Sequence, residues 1–182
     1  ALMDLGSIVC KPRNPNCLHC PWRGSCIVYS SNQINKFSVK FADKTIPFQV
    51  IGVGIVFNAS GEVLIDQRFN QGLLGGLWEF PGGKQEEEED IKGTIVRELM
   101  EELSIKVQVG ELLISFEHSY SHKKLFFVVH LCKLLSGEPK PLESQQIQWV
   151  KPHELNDYPF PAANAKMISA LNEYLQKDKC ID

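Results

Sequence analysis

The chain has 182 residues, 43% of them hydrophobic and 23% charged, with a formal net charge of −3. Such a length carries one sizeable core plus a small appendage, and the composition is that of a globular protein rather than a disordered one. No apolar run approaches the ~20 residues of a membrane span and no secretory signal is evident, so the cytoplasm is the expected compartment, with no membrane partner. The net charge conceals an asymmetry. Residues 1–46 hold six Lys and Arg against Asp4 and Asp43, a charge of +4 that leaves −7 for the remainder. A basic front and an acidic body point to two kinds of partner, a polyanion and a metal ion.

Leu2, Met3, Leu5, Ile8 and Val9 form a short apolar helical pattern with nothing nearby in the sequence to pack against, as in a piece of a longer protein. Four of the six cysteines follow within seventeen residues, as Cys10-x6-Cys17-x2-Cys20-x5-Cys26. Clustered thiols serve disulfides, zinc or an iron–sulfur cluster; the missing secretory signal disfavours the first. The spacing resembles the 4Fe–4S loop of helix-hairpin-helix DNA glycosylases, and residues 1–26 resemble the end of the catalytic domain of a MutY-type adenine DNA glycosylase. That resemblance implies a structural 4Fe–4S cluster on Cys10, Cys17, Cys20 and Cys26. It also implies a loop presenting Lys11, Arg13 and Arg23 to the DNA backbone. The groups such a glycosylase uses on adenine would lie upstream of residue 1, so this chain alone is not expected to excise adenine. Cys132 and Cys180 are left over, and Cys132, inside an apolar stretch, reads as a buried small hydrophobe.

Residues 27–46 are polar, with scattered lysines and no sustained period, and read as an interdomain connection. PFQVIGVGIVFN, from Pro47, is β-branched and apolar; a turn at Asn58–Gly61 and a second strand, EVLIDQRF, follow. Gly75–Pro81 then leads into an acidic stretch, GGKQEEEEDIKGTIVRELMEELSI, from Gly82 to Ile105. Ile91, Ile95, Leu99 and Leu103 recur every four positions and mark the buried face of a helix. Glu98, Glu101 and Glu102 share another face, with Arg97 one turn before Glu101. Such crowding destabilises an isolated helix, and a divalent cation with oxygen ligands reverses the effect. A solvated acidic helix is the plain alternative, and it is the reading for Glu86, Glu87 and Glu88.

Written out, Gly83-x5-Glu89-x7-Arg97-Glu98-Leu99-x-Glu101-Glu102-x-Ser104-Ile105 resembles the Nudix box, departing from it at Ser104, where the family has glycine. The resemblance implies hydrolysis of a nucleoside diphosphate linked to another moiety, with Mg²⁺ or Mn²⁺ as cofactor. Glu98, Glu101 and Glu102 would be metal ligands together with the backbone of Gly82. Glu98 would also be the base that orients water, with Arg97 orienting a glutamate and Glu89 supporting the loop. Ser104 would cost on the order of 1 kcal/mol in a left-handed helix end.

Beyond the box come two strand-like stretches, IKVQVGELLISFEHSY and KKLFFVVHLCKLL, a short IQWV, and an amphipathic helix through Ala165, Ile168, Leu171 and Leu175. This order fits an α/β fold, an α/β/α sandwich around a mixed sheet, the architecture that the Nudix resemblance implies. The expected division is a cysteine-rich segment 1–26, a linker 27–46 and a Nudix domain 47–177. FPAANA, residues 160–165, together with GLWEFPGGK and SGEPKP, resembles the MutT-type sanitising hydrolases, in which the asparagine, here Asn164, reads oxidised guanine. A carboxamide accepts from N7–H of 8-oxoguanine and donates to O6, whereas guanine sets acceptor against acceptor. The plain alternative is that Asn164 caps the last helix. FEHSYSH, residues 116–122, resembles the Phe-Ser-His loop of MutY C-terminal domains. Tyr120, Ser121 and His122 would then reach around 8-oxoguanine, Tyr120 standing where the family has phenylalanine. Strand alternation puts His118, Tyr120 and His122 on one face.

Two functions follow. One is a monomeric MutT-type pyrophosphohydrolase converting 8-oxo-dGTP to 8-oxo-dGMP and pyrophosphate. The other is a non-hydrolytic reader of 8-oxoguanine opposite adenine in duplex DNA. MutY C-terminal domains typically lack the acidic box, so its presence favours hydrolysis.

Overall fold

The computed structural model describes residues 2–11, 14–37, 47–72, 74–120 and 123–178. The chain forms two compact units, Ala1–Thr45 and Ile46–Asp182. The first is built of short helical pieces: Leu2–Asp4 running into Leu5–Val9, then Cys17–His19, Arg23–Ser25, Ile27–Ser30 and Ile34–Phe37. Segments this short do not hold a helix alone in water. Residues 27–37, expected as part of a connection, are thus partly helical and cluster with the cysteine segment; residues 38–46 lie outside the described residues.

The second unit contains seven strands and two long helices. Its strands are β1 (Phe48–Phe57), β2 (Val63–Gln67), β3 (Trp78–Glu79), β4 (Gly82–Lys84), β5 (Lys106–Ser119), β6 (Lys124–Ser136) and β7 (Gln146–Val150). Its helices are α1 (Ile91–Leu103) and α2 (Ala162–Asp178). The strands form one sheet in the order β3-β2-β1-β6-β5, with β4 also on β1 and β7 also on β2. β1 and β6 run parallel and the other pairs antiparallel, so the sheet is mixed, as the sequence order suggested.

Alternation along the strands sends apolar residues to both faces. Val53 and Ile55 of β1, Ile65 of β2 and Phe127 and Val129 of β6 pack with Met167, Ile168 and Leu171 of α2. Val56, Leu64 and Cys132 point the other way, onto Ile95, Leu99 and Leu103 of α1. Ile95 and Leu99 are 0% exposed and Leu103 1%. Each such burial contributes ~1.5–3 kcal/mol, so α1 is held to the sheet by several kcal/mol and its opposite face is fixed in position. At its start the Asp90 carboxylate accepts from the Gly93 N–H at 2.6 Å, a capping contact of ~1 kcal/mol. At its end Ser104 is left-handed, φ 58° and ψ 35°. A serine there costs ~1–2 kcal/mol, less than the buried face supplies. Cys132 is buried as expected, and that burial pushes its thiol up to about 12.

Candidate active site

One guanidinium organises the outer side of α1. Arg97 holds both oxygens of Glu89, Nε to Oε1 at 2.9 Å and Nη2 to Oε2 at 3.1 Å. Its Nη1 also lies 3.0 Å from Glu98 Oε1 and from Glu101 Oε2, and Nη2 donates to the Lys84 carbonyl at 3.1 Å. Glu89 accepts further bonds from the Thr94 hydroxyl at 2.8 Å and the Glu86 N–H at 3.4 Å. The Arg97 hydrogen bonds, above all, pull the Glu89 carboxyl down to about 2, and the same contacts raise the Arg97 pKa. Glu89 is therefore committed to bracing the loop, as the sequence suggested. Glu101 is half exposed at the rim, its side chain 55% accessible.

Glu98 and Glu102 turn inward. The Glu98 carboxylate lies against Gly83, in the space that a side chain there would occupy. Glu102 Oε2 accepts from the Gly82 N–H at 3.2 Å. Burial raises the pKa of Glu98, and burial with the nearby charge of Asp66 pushes Glu102 up to about 8. Glu102 has no Lys or Arg partner among the described residues.

Beside Glu102 opens a cavity of about 210 Å³, lined also by Asp66, Arg68, Glu79, Glu143 and Ser144. Asp66 of β2 stands directly across from Glu79 of β3. Arg68 Nη1 binds both Glu79 oxygens, at 2.7 and 3.0 Å, and acts on Asp66 only as a nearby charge, with no ion pair to Asp66 among the described residues. Burial and then the Glu79 charge push Asp66 up to about 7, and burial raises Glu79 as well. Asp66 Oδ1 and Ser144 Oγ are cut off from solvent and have no hydrogen-bond partner. An all-oxygen set with surplus negative charge and two orphaned oxygen atoms fits a hard divalent cation. As placed, no three Asp, Glu, His or Cys side chains among the described residues converge closely enough to cage an ion. Mg²⁺ does not require a cage, because it keeps several waters and uses one or two carboxylates plus substrate phosphates.

A family model of the NUDIX domain matches residues 52–170. The chain belongs to the Nudix family. A relative, the 8-oxo-dGTP diphosphatase of Haemophilus influenzae, is 36% identical over 121 residues, covering 66% of this chain and 89% of that one. An adenine DNA glycosylase of Buchnera aphidicola is 28% identical over 138 residues, 76% of this chain but 36% of that protein. The MutT protein of Methanosarcina mazei superposes with a TM-score of 0.65 over 74% of this chain and 98% of its own, at 22% identity, and so speaks for the fold alone.

The cavity beside Glu102 extends past the box. Asp66, Glu79, Glu143 and Ser144 were not singled out from the sequence, because they arrive from two strands and a loop. The loop is pinned by main-chain bonds from Leu142 N–H to the Glu102 carbonyl, 2.9 Å, and from Gln145 N–H to the Gln67 carbonyl, 2.9 Å. Asp66 alone left a signal, a carboxylate two residues after Leu64 on the face that packs under the Nudix helix.

β3 sends Glu79 to the carboxylate cavity and Trp78 to the opposite face, where the segment before α2 lies. Trp78 N–H donates to the Pro159 carbonyl at 2.9 Å, and Phe80 stacks on Phe160 at 5.5 Å. Asn164 sits in that region, 7% exposed. α2 starts at Ala162, so Asn164 lies in the first turn and not at the cap, which removes the capping alternative. Tyr120 follows the end of β5; its ring is 4.7 Å from His118, on the shared face that alternation required, and packs on the α2-side core. Burial raises its pKa, with smaller effects from Glu79 and Arg68. Ser121 and His122 lie outside the described residues.

In the first unit Cys10, Cys17, Cys20 and Cys26 line one small cavity together with Val9, Arg23 and Tyr29. None of the four is in a disulfide. The spacing brings them together, although the Nudix match does not include them and no three are placed to hold an ion. Arg23 lies over the Tyr29 ring at 4.9 Å, Lys11 is exposed, and Arg13 lies outside the described residues.

Proposed function

We propose that the Nudix unit is a MutT-type pyrophosphohydrolase that converts 8-oxo-dGTP and water to 8-oxo-dGMP and pyrophosphate. The observation that carries this reading is the arrangement of Glu98 and Glu102, turned inward from a helix braced by Arg97, with Glu102 on a cavity crowded with carboxylates. The relative named for 8-oxo-dGTP supports the substrate. Glu98, Glu101 and Glu102 with the Gly82 backbone would hold Mg²⁺ or Mn²⁺. When bound, such an ion neutralises the phosphates and lowers the pKa of water. Glu98 takes a proton from the attacking water as a new P–O bond forms and the α–β bridging bond breaks, releasing pyrophosphate. Arg97 keeps Glu98 and Glu101 oriented through this step. Asn164 reads the N7–H and O6 edge of the base, where a mispaired buried polar group costs ~1–3 kcal/mol, a tenfold to hundredfold preference.

A second reading is supported by the four cysteines around one cavity and by the glycosylase relative. The chain would then be the C-terminal piece of a MutY-type glycosylase with a 4Fe–4S loop, Lys11, Arg13 and Arg23 meeting the DNA backbone. Tyr120, Ser121, His122 and Asn164 would read 8-oxoguanine opposite adenine. One experiment separates the two. Phosphate release, with added pyrophosphatase and Mg²⁺, is measured over a nucleotide panel, beside a gel shift on an 8-oxoguanine·adenine duplex. The hydrolase reading expects turnover of 8-oxo-dGTP and near loss in Glu98→Gln. Duplex binding with no turnover would replace it with the second, and turnover untouched by Glu98→Gln would remove Glu98 from the mechanism.

A further inference from the structure

Leu64 and Asp66 share the face of β2 that packs beneath α1, and Leu64 is 0% exposed. Strand alternation calls for a second apolar residue at that register position, yet a carboxylate stands there, 8% exposed. Its cross-strand neighbour is Glu79, and like charges directly opposite one another oppose pairing. Arg68, two residues on, is occupied, since it binds both oxygens of Glu79. Asp66 Oδ1 therefore stays buried without a partner, and so does Ser144 Oγ on the same cavity, whose side chain is 6% exposed. An unsatisfied buried acceptor calls for an explanation, and here two oxygens lie together beside Glu102.

Ser144 is not there by accident of a loose loop. The Lys140 N–H donates to the Leu103 carbonyl at 3.0 Å, Leu142 N–H to the Glu102 carbonyl, and Gln145 Nε2 to the Arg68 carbonyl at 2.9 Å. The connection is bound at one end to the last turn of α1 and at the other to the end of β2. It thereby closes the cavity between helix and sheet.

We propose that Asp66, with the Ser144 hydroxyl beside it, is a cation-holding residue of the Nudix site, binding from the sheet side the divalent ion that Glu98 and Glu102 approach from the helix. This rests on the hydrolase reading for the presence of the ion, and it adds a ligand outside the box. A trapped water would satisfy the two oxygens but would not let Asp66 and Glu102 stand ionised side by side, as a divalent cation between them does.

The test uses the full chain without nucleotide. Mn²⁺ is titrated into wild type, Asp66→Asn and Asp66→Ala, and free Mn²⁺ is read by electron paramagnetic resonance. Melting temperatures are recorded with and without Mg²⁺. Both variants are expected to bind Mn²⁺ about ten- to a hundredfold more weakly. They should melt at or above wild type without metal, and gain less from Mg²⁺. Unchanged Mn²⁺ affinity overturns the assignment, whatever happens to turnover, and points to a water or a packing role. A wild type that takes up no Mn²⁺ overturns the assignment of Asp66, while the hydrolase reading stands or falls on turnover of 8-oxo-dGTP with Mg²⁺. Intact, Asp66-dependent Mn²⁺ binding in a chain inactive on 8-oxo-dGTP would sink the substrate reading alone and support this one.

Discussion

Two adjacent glycines at the mouth of the box separate chemistry from folding. A Cβ at Gly83 would land in the carboxylate of Glu98, and its three nearest neighbours are all atoms of that group. The carboxylate is the far end of a flexible side chain, so Gly83→Ala should expel Glu98 from its place and leave the backbone intact. Gly82 differs. Its φ is 146°, and a Cβ there would run into the Gly52 carbonyl oxygen and the Val53 Cα, backbone of β1. Those atoms cannot yield without opening the β1–β4 ladder, where Val53 pairs with Gly82. Backbone strain at such a φ costs ~1–3 kcal/mol, and the overlap ~1–3 kcal/mol more. Gly82→Ala should thus lose about 2–6 kcal/mol of a total near 5–15 kcal/mol. At about 2–4 °C per kcal/mol its melting temperature falls by roughly 5–20 °C. Gly83→Ala should melt within a few degrees of wild type yet lose about 10²- to 10⁴-fold in turnover, the range for a displaced general base. Circular-dichroism melts and phosphate release from 8-oxo-dGTP supply the two readouts. Full turnover in Gly83→Ala would mean that the reaction does not need Glu98 where the fold puts it. Unfolding as deep as that of Gly82→Ala would mean that the carboxylate is not free to move.

The metal-free chain should lose stability as pH rises. Burial holds Glu102 at about 8 and Asp66 at about 7, above their ordinary 4.5 and 3.8. Between these limits the folded state keeps protons that the unfolded state has released, so the slope of stability against pH is negative. Glu89 acts oppositely, its carboxyl drawn down to about 2, but that contribution is complete above the ordinary carboxylate range and adds no slope at neutral pH. Urea denaturation in EDTA from pH 5 to 8 should show the decline, and saturating Mg²⁺ should flatten it; a metal-free rise over that interval would contradict the burial of these carboxylates. Asn164→Ala should reduce the preference for 8-oxo-dGTP over dGTP by tenfold to a hundredfold while sparing phosphate chemistry, measured as the ratio of kcat/KM values. Equal loss on both nucleotides would remove Asn164 from base recognition.

What could be read in the sequence was whatever lay on one element at a fixed spacing. Ile95, Leu99 and Leu103 announced the buried stripe of α1, and on the same helix Arg97, Glu98, Glu101 and Glu102 could be placed relative to one another without knowing the fold. The left-handed end at Ser104 fits what the Nudix resemblance implied, since the family has glycine there. β1, β2, β5, β6 and β7 were legible as apolar runs, and alternation seated His118 beside Tyr120, whereas the short β3 and β4 carry no such run and were not read as strands. Asn164 was misjudged as a possible cap because the helix start depends on how Phe160 and Trp78 pack the preceding segment, which no local pattern encodes. Asp66, Glu79, Glu143 and Ser144 escaped for the same reason. They meet only because β2 pairs with β3 and a loop is tied across the end of α1.

That division has a physical consequence. The carboxylates tied to Arg97 are supplied with a cation from their own helix: Arg97 is within 3.0 Å of Glu98 and Glu101 and brackets Glu89. Without such a cation stand Glu102 and Asp66, where helix meets sheet, both pushed up chiefly by burial and then by a neighbouring carboxylate. An ion drawn to that junction is held by elements far apart in sequence, so its affinity depends on the β2–β3 edge and the helix being assembled together. Binding of the native state alone stabilises it by mass action. The cation then draws the sheet edge and the acidic helix into one cooperative unit.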